Sequence, residues 1–496
     1  MKPADPLERL PTPLILASLA LLIVRIIVAA NTGLTDDEAY NRVWGLAPAL
    51  SYLDHPPMTG WLIAAGRWLL GDNPLGVRLA AVLAPLLGTL LAWRAVGLLF
   101  GPKVALRAGW YTLALPLLAA GGVLMTPDVP SVVTWGLTGW AAAELYRSGR
   151  ANWWLAIGLF AGLGLISKYS NLFAGAGLVL WLVASPGARH WWRTWQLWAG
   201  GALAALLTLP VDVWNWQHHG ASFTKQFGRV GAGEGLTLRF LGELIGGMVG
   251  LLSPAIAVLA AWGLWHTFRR ALKDRNSPEF LLFCSILPFA SYLLVHSLHD
   301  RVQANWPAPL YPAIAVLAAL VLEIPALQTK PVLRLARWAL PLGFGISAAL
   351  YLHTLHPFVQ LPGTRDPSSQ MRGWSDFATI IQAKRAASGA AWIATSSYAT
   401  TGQLMFALSA HAPVVQLDER LRYIHLPPVP EAVLRAPALY VDLARYGALA
   451  KLQAHFGTVT NLGPVERRYA GVIIERYETF LLADPVLPVL PPADGF

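Results

Sequence analysis

The chain has 496 residues, of which 55% are hydrophobic and only 13% charged, and its formal net charge is +10. Soluble globular chains carry about 25% charged residues, so the composition argues against an ordinary soluble protein and for one large membrane domain with something smaller attached. The Lys and Arg residues sit in the gaps between apolar runs rather than in one patch, which is the pattern of the positive-inside rule and argues against nucleic acid as a partner. The single cysteine, Cys284, lies in an apolar run, so neither an intramolecular disulfide nor a cysteine-based zinc site is available. The 22 Trp residues suit a protein with two membrane–water interfaces.

A spanning helix needs about 20 mostly apolar residues. In chain order, apolar segments lie near 13–30, 75–99, 106–125, 129–146, 153–167, 170–185, 196–213, 240–267, 279–297, 307–323 and 334–354. They predict an all-α polytopic transmembrane domain over residues 1–356, with about 11–13 spans. The first segment exceeds the usual apolar core of a signal peptide and is followed by another apolar segment, so it reads as a retained span. The stretch 59–70 is too short to span; Trp61, Arg67 and Trp68 suit a helix lying along the surface. Arg25, Arg78 and Arg94 fall near span ends and are expected to snorkel.

With Lys2 and Arg9 placed in the cytoplasm, the even-numbered turns fall inside. They carry Lys103 and Arg107, Arg147 and Arg150, Arg189 and Arg193, the basic group at 269–275, and Lys330, Arg334 and Arg337. The opposite loops hold Asp36, Asp37, Glu38, Asp54, His55, Asp128, His218, His219, Glu234, His299 and Asp300. After residue 357 the long apolar runs stop. Short runs at 391–396, 438–443 and 471–475 read as buried strands, with helical patterns near 374–388 and 398–409. A small α/β domain over 357–496 is expected, outside the cytoplasm if the span count is odd, ending in a loose Pro-rich tail at 485–492. No glycine-rich phosphate loop, HExxH or CxxC occurs.

Five stretches could carry chemistry. In the first outer loop, 31–74, Asp37 and Glu38 follow the first span directly; a carboxylate there can act as a general base toward a hydroxyl, or Thr35, Asp36 or Asp37 can cap a helix over 38–50. Asp54 and His55 precede two prolines that fix the backbone; they could face the same cleft or form a polar turn. Asp128 in the turn 126–130 could cap the next helix or orient a substrate. Lys168 could snorkel or bind a phosphate as a point charge. Arg301 could offer a forked donor to a phosphate or belong to an anchoring loop.

Taken in this order, DDEAY at 36–40, YLDHPP at 52–57, TPD at 126–128, SKYS at 167–170 and QANWPAP at 303–309 resemble the GT-C superfamily of polyprenyl-phosphate-sugar glycosyltransferases. They look most like its bacterial branch of lipid A aminoarabinose transferases and relatives of the protein O-mannosyltransferases. The resemblance covers about residues 10–320; the C-terminal domain is similar only in position and size. It implies a sugar delivered on an isoprenoid phosphate and moved to a lipid or glycan acceptor on the periplasmic side of a bacterial inner membrane, with inversion. It implies Asp37 as base, with Glu38 beside it. It adds Tyr40, Asp54, His55, Asp128, Lys168, Tyr169, Arg301 and Asn305 as substrate-binding candidates. Close relatives often have Lys before the proline pair; this chain has His55, which would meet a phosphate as a cation only when protonated. Some relatives bind divalent ions, and Asp54, His55 and Asp128 could supply ligands, but their spacing is not diagnostic and no metal is assigned. The alternative function is a transporter or flippase for a lipid-linked glycan. Ionisable residues at the bilayer midplane would favour it; here they gather at one interface.

Overall fold

The computed structural model of the chain describes residues 11–228, 235–359, 361, 363–408 and 411–490. Lys2, Arg9, Glu234, residue 409 and residues 491–492, all used in the sequence reading, lie outside the described residues. The chain divides into two compact units. One comprises Met1–Ile27, His55–Thr59 and Leu79–Tyr351; the other comprises Val28–Asp54, Gly60–Arg78 and Leu352–Phe496.

The first unit is helical. Each of the expected apolar segments is helical over most of its length. Among the described residues, however, only five helices are long and apolar enough to cross a membrane: Thr12–Ala30, Pro74–Phe100, Trp195–Gln217, Pro278–His296 and Lys330–Leu355. The number rises to seven if two bent pairs each count as one span. The protein is a multi-pass membrane protein, with fewer full-length apolar helices than the 11–13 spans expected. Part of the difference comes from breaks. The run 240–267 is two helices, Arg239–Leu252 and Pro254–Lys273, meeting at 111°. Ser253 between them has φ +68°, and the proline that follows bars helical backbone before it. Likewise 106–125 is split into Pro102–Leu113 and Pro116–Gly121, because Pro116 lacks the N–H that would continue the ladder. Close packing between spans uses small residues. A Cβ on Gly158 would lie 2.1 Å from the Gly200 carbonyl oxygen, so the helices Trp153–Leu165 and Trp195–Gln217 meet backbone to backbone.

The arginines near span ends do not snorkel. Arg25 is buried and donates to Tyr351 Oη at 3.2 Å. Arg94 pairs with Glu144 at 3.2 Å. Arg78, in the second unit, is fully buried in an ion pair described below.

The second unit contains a six-stranded mixed sheet. Its strands are β1 (Trp392–Thr395), β2 (Val414–Gln416), β3 (Ala438–Leu443), β4 (Phe456–Asn461), β5 (Val465–Tyr469) and β6 (Val472–Pro485). The order is β2-β1-β3-β6-β4, with β5 also on β6; β1 is parallel to β2 and β3, and β6 is antiparallel to β3, β4 and β5. The central strands are apolar on both faces, as strands covered on two sides must be. Alternation sends Ile393, Leu439 and Val441 to a core with Phe377 and Ile381 of the helix Trp374–Ala387. It sends Trp392, Ala394 and Tyr440 to an opposite core with Leu434, Leu452 and Phe480. The expected strands at 391–396 and 438–443 are β1 and β3. The run 471–475 is the start of the much longer β6, while β2, β4 and β5 carried no signal that stood out. The tail is not loose over its described part: Val489 is buried in the second of these cores.

Candidate active site

The first outer loop folds into the helix Asp36–Trp44, and its start shows how the sequence assigns roles to neighbouring carboxyl groups. Thr35 is the N-cap. Its hydroxyl accepts from the Glu38 N–H at 3.3 Å, and Glu38 accepts from the Thr35 N–H at 3.0 Å, a reciprocal capping box. The capping reading therefore belongs to Thr35 and Glu38, not to Asp36 or Asp37. Glu38 is fully buried and takes a forked pair of bonds from Arg78, Nε to Oε1 and Nη2 to Oε2, both at 2.7 Å. Expected beside the base, Glu38 has the geometry of a structural ion pair instead: its oxygens are filled by Arg78 and by the cap.

Asp37 is different. It is exposed, and its Oδ1 accepts from Tyr398 Oη at 3.2 Å. Partial desolvation by the protein around it raises its carboxyl pKa above the ordinary value, and Glu38 and Asp54 add to this; the Tyr398 hydrogen bond and Arg422 pull the other way. Asp36 is raised too, mainly by burial, against a hydrogen bond from Gln403 Nε2 at 3.1 Å. Burial, then the charge on Asp37, pushes Tyr398 well above the ordinary phenol range, so it stays a protonated donor.

Asp54 completes the group. It accepts from Tyr40 Oη at 2.7 Å and is ion-paired with Arg422. The Arg422 guanidinium also lies over the rings of Tyr40 (5.2 Å) and Tyr398 (5.1 Å), a doubled cation–π arrangement. Tyr40 and Asp54 thus join Asp37 in one cluster of the second unit. Tyr398, Gln403 and Arg422, which sequence reasoning missed, complete it. A strand followed at once by a helix beginning Ser397-Tyr398 could have pointed to Tyr398; nothing local marks Arg422.

Two supports hold this loop. Arg42 and Arg67 both bind Asp72, Arg67 Nη1 donates to the Gly45 carbonyl at 2.7 Å, and Trp61 Nε1 donates to the Ala49 carbonyl at 3.0 Å. Arg67 and Trp61, on the helix Met58–Leu70, therefore brace the loop; of the three residues expected at the surface, Trp68 is the one left strongly exposed, at 83%. The helix Tyr398–Ala407 runs close to Asp36–Trp44 at Gly402, where a Cβ would fall 2.7 Å from Tyr40 N and 2.8 Å from Ala39 C. Gly402→Ala must push the two helices apart and is expected to cost about 1–3 kcal/mol, lowering the apparent Tm measured in detergent.

The remaining candidates lie in the first unit. Asp128 opens the helix Asp128–Ser148 but makes no side-chain cap. Its Oδ1 pairs with Lys168 Nζ at 2.6 Å and its Oδ2 accepts from Asn305 Nδ2 at 2.9 Å. The structure thus brings Asp128, Lys168 and Asn305 together and replaces both the capping reading of Asp128 and the snorkelling reading of Lys168, which is only 17% exposed. Tyr169 Oη meets Ser222 Oγ at 2.8 Å. Arg301 is apart from this triad in its bonding: it is 70% exposed and pairs with Glu243 at 3.2 Å. His55 is half-buried in the turn before the helix Met58–Leu70. The carboxylates once considered as metal ligands do not fit that role: Asp54 is engaged by Tyr40 and Arg422, and Asp128 by Lys168 and Asn305. Among the described residues no three His, Cys, Asp or Glu side chains converge on one point.

Residues 54–214 match the family described as dolichyl-phosphate-mannose-protein mannosyltransferase. Among curated relatives, the lipid A galacturonosyltransferase RgtD of Rhizobium johnstonii is 27% identical over 303 residues, covering 60% of this chain and 63% of that protein. The undecaprenyl phosphate-alpha-4-amino-4-deoxy-L-arabinose arabinosyl transferase of Pseudomonas paraeruginosa is 28% identical over 332 residues, covering 57% and 58%. The chain thus spans about three fifths of the length of these relatives. In fold it matches ArnT from Cupriavidus metallidurans, solved bound to undecaprenyl phosphate, with a TM-score of 0.66 at 17% identity over 97% of this chain and all of that one. The archaeal oligosaccharyltransferase AglB from Archaeoglobus fulgidus superposes with a TM-score of 0.52 at 13% identity, covering 87% and 70%. Residues 54–214 thus carry the match to the dolichyl-phosphate-mannose-protein mannosyltransferase family, and the relatives and the fold agree with the resemblance carried by the five sequence motifs.

Proposed function

We propose that this protein moves a sugar from an isoprenoid phosphate, of the undecaprenyl type, to an acceptor in lipid A, lipopolysaccharide or another envelope glycan. The reaction takes place on the periplasmic face of a bacterial inner membrane, with inversion at the anomeric carbon. The observation that carries this reading is the division of labour in the first loop. Glu38 is spent on structure and Asp54 on Arg422, while Asp37 is exposed, acceptor-only and held in place by one phenol. A carboxylate so placed can take the proton from an acceptor hydroxyl as the hydroxyl oxygen attacks the anomeric carbon. The bond to the lipid phosphate breaks in the same step, and the phosphate leaves as an anion that needs no strong general acid. Glycosidases, by contrast, use a second carboxyl group to protonate a poorer leaving group. Cations preorganised for the departing phosphate supply the largest remaining stabilisation. Within the first unit, Lys168, its charge held in place by Asp128 and Asn305, is a candidate for binding a lipid phosphate, and the exposed Arg301 is a second. The names of the relatives, which specify undecaprenyl-phosphate-linked aminoarabinose and lipid A, support the donor and acceptor classes.

The test is direct. Purified protein is incubated with a panel of undecaprenyl-phosphate-linked sugars and lipid A or lipopolysaccharide, and the lipids are extracted for mass spectrometry. The expected result is an acceptor gaining the mass of one sugar residue with release of undecaprenyl phosphate. Movement of intact lipid-linked sugar across proteoliposomes without any covalent transfer would replace the enzyme with a flippase.

A further inference from the structure

The parallel strands β1 and β3 lie side by side, and their onward connections diverge, from β1 to β2 on one side and from β3 to β4 on the other. Such divergence opens a crevice at the carboxyl ends of the two strands, the usual ligand position in a parallel sheet. Here the crevice is filled from within. Asp442 on β3 is 1% exposed, and its carboxylate gathers the turn that follows β1. Oδ2 accepts from Ser396 N–H at 2.7 Å and Ser397 N–H at 2.6 Å. Oδ1 accepts from Ser397 Oγ at 2.8 Å and Thr400 Oγ1 at 2.9 Å. Ser397 is also the N-cap of the helix Tyr398–Ala407, accepting from Thr400 N–H at 3.3 Å. The next residue in the chain is Tyr398.

We propose that Asp442 is a positioning residue for the transfer reaction, fixing the Ser396–Ser397 turn so that the Tyr398 hydroxyl is aimed at Asp37. The proposal deepens the reading of Asp37 as base. A carboxylate that accepts from two successive backbone N–H groups sets the direction of the chain at that point, and charge-assisted hydrogen bonds are about twice as strong as neutral ones. The sheet is covered on both faces, so this direction is tied to a rigid core. Tyr398 then supplies the hydrogen bond that favours the ionised form of Asp37. The other groups acting on Asp37 are Glu38 on its own helix, Asp54 in the same loop, and Arg422 from the C-terminal segment, with Asp36 adjacent in sequence; none of these depends on the turn at Ser397.

The experiment reads Asp37 itself and needs no substrate. The full-length protein in detergent is labelled with a carbodiimide and an amine across acidic to neutral pH. Fragment-ion mass spectrometry separates Asp37 from Asp36, and the midpoint of labelling reports protonation. Tyr398→Phe removes the donor and should raise the midpoint by about one pH unit. Asp442→Asn should raise it in the same direction, and should add nothing further in the Tyr398→Phe background. A merely structural role would lower the apparent Tm without moving the midpoint. The proposal is overturned if Asp442→Asn leaves the midpoint in place, or shifts it equally with and without Tyr398. Should Asp442→Asn not fold, Thr400→Val, which deletes one donor to Asp442 and keeps the side-chain shape, must give a smaller rise; no rise would reject the proposal. Because labelling does not require turnover, full transfer activity in Asp37→Asn would remove the base and leave this coupling standing.

Discussion

Asp37→Asn is expected to lower kcat/KM for sugar transfer by about 10²–10⁴-fold, the usual contribution of a general base, without loss of the folded protein. The substitution is nearly isosteric, and the amide oxygen can still accept from Tyr398, so the loop keeps its contacts. What disappears is the capacity to take a proton. The pH dependence has a definite sign. The active form is the carboxylate, and the Asp37 pKa is raised by partial desolvation and by Glu38 and Asp54. Activity is therefore full above that raised value and falls as pH drops through it, so the acidic limb of the wild-type profile lies above the ordinary aspartate range. Asp37→Asn should lose that limb along with most of the rate. The measurement is kcat/KM against pH for both proteins, with circular dichroism and apparent Tm as controls. Transfer by the variant at a near-normal rate would reject Asp37 as the base.

How much of this was legible beforehand depends on the range over which each interaction acts. The chain's membrane character shows in its apolar runs, and Asp37, Asp128, Lys168 and Asn305 stand out as candidates because each sits in a short motif at the end of such a run. The partners of Asp37 and Asp54 were not. Tyr398 and Arg422 lie hundreds of residues downstream in a segment with no apolar run to frame it, and a single sequence carries no trace of a pairing at that separation. The strand β2 has three residues, too few to display a period. The division of the first-loop carboxylates was also hidden. Adjacent acidic residues look alike in sequence, and only the helix start shows that the third of them closes the cap while the second faces out. Arg78 misled for a related reason. An arginine near the end of an apolar run normally reaches for water, and the rule fails here because a buried carboxylate forty residues earlier is waiting for it.

That pair gives the largest expected effect on stability. Arg78 donates to both oxygens of Glu38 and also, through Nη1, to the Ala29 carbonyl (3.0 Å), the Thr32 carbonyl (3.1 Å) and the Thr32 hydroxyl (2.8 Å). Through Nη2 it reaches the Gly33 carbonyl at 2.6 Å. One guanidinium thus collects the carbonyls released at the end of the helix Thr12–Ala30 and fastens them to the start of Asp36–Trp44. Arg78→Met keeps the bulk of the stem but takes the forked guanidinium away from a Glu38 carboxylate at zero exposure. Breaking a buried pair from one side costs about 3–5 kcal/mol, and the orphaned carbonyls add to that. Arg78→Lys should rescue little, since an ammonium cannot reproduce the fork. Arg78→Met combined with Glu38→Met should recover a substantial part of the loss, because no unpaired charge then remains buried. Recovery cannot be complete: Glu38 also closes the capping box, and loss of a cap costs about 0.5–2 kcal/mol. The ordering wild type, double variant, single variant in apparent Tm at a fixed heating rate is the expected outcome. A single variant as stable as wild type would mean that the pair contributes nothing net, and that the loop bearing Asp37 is held by its other contacts, among them the Asp72 knot, the Trp61–Ala49 bond and the packing at Gly402.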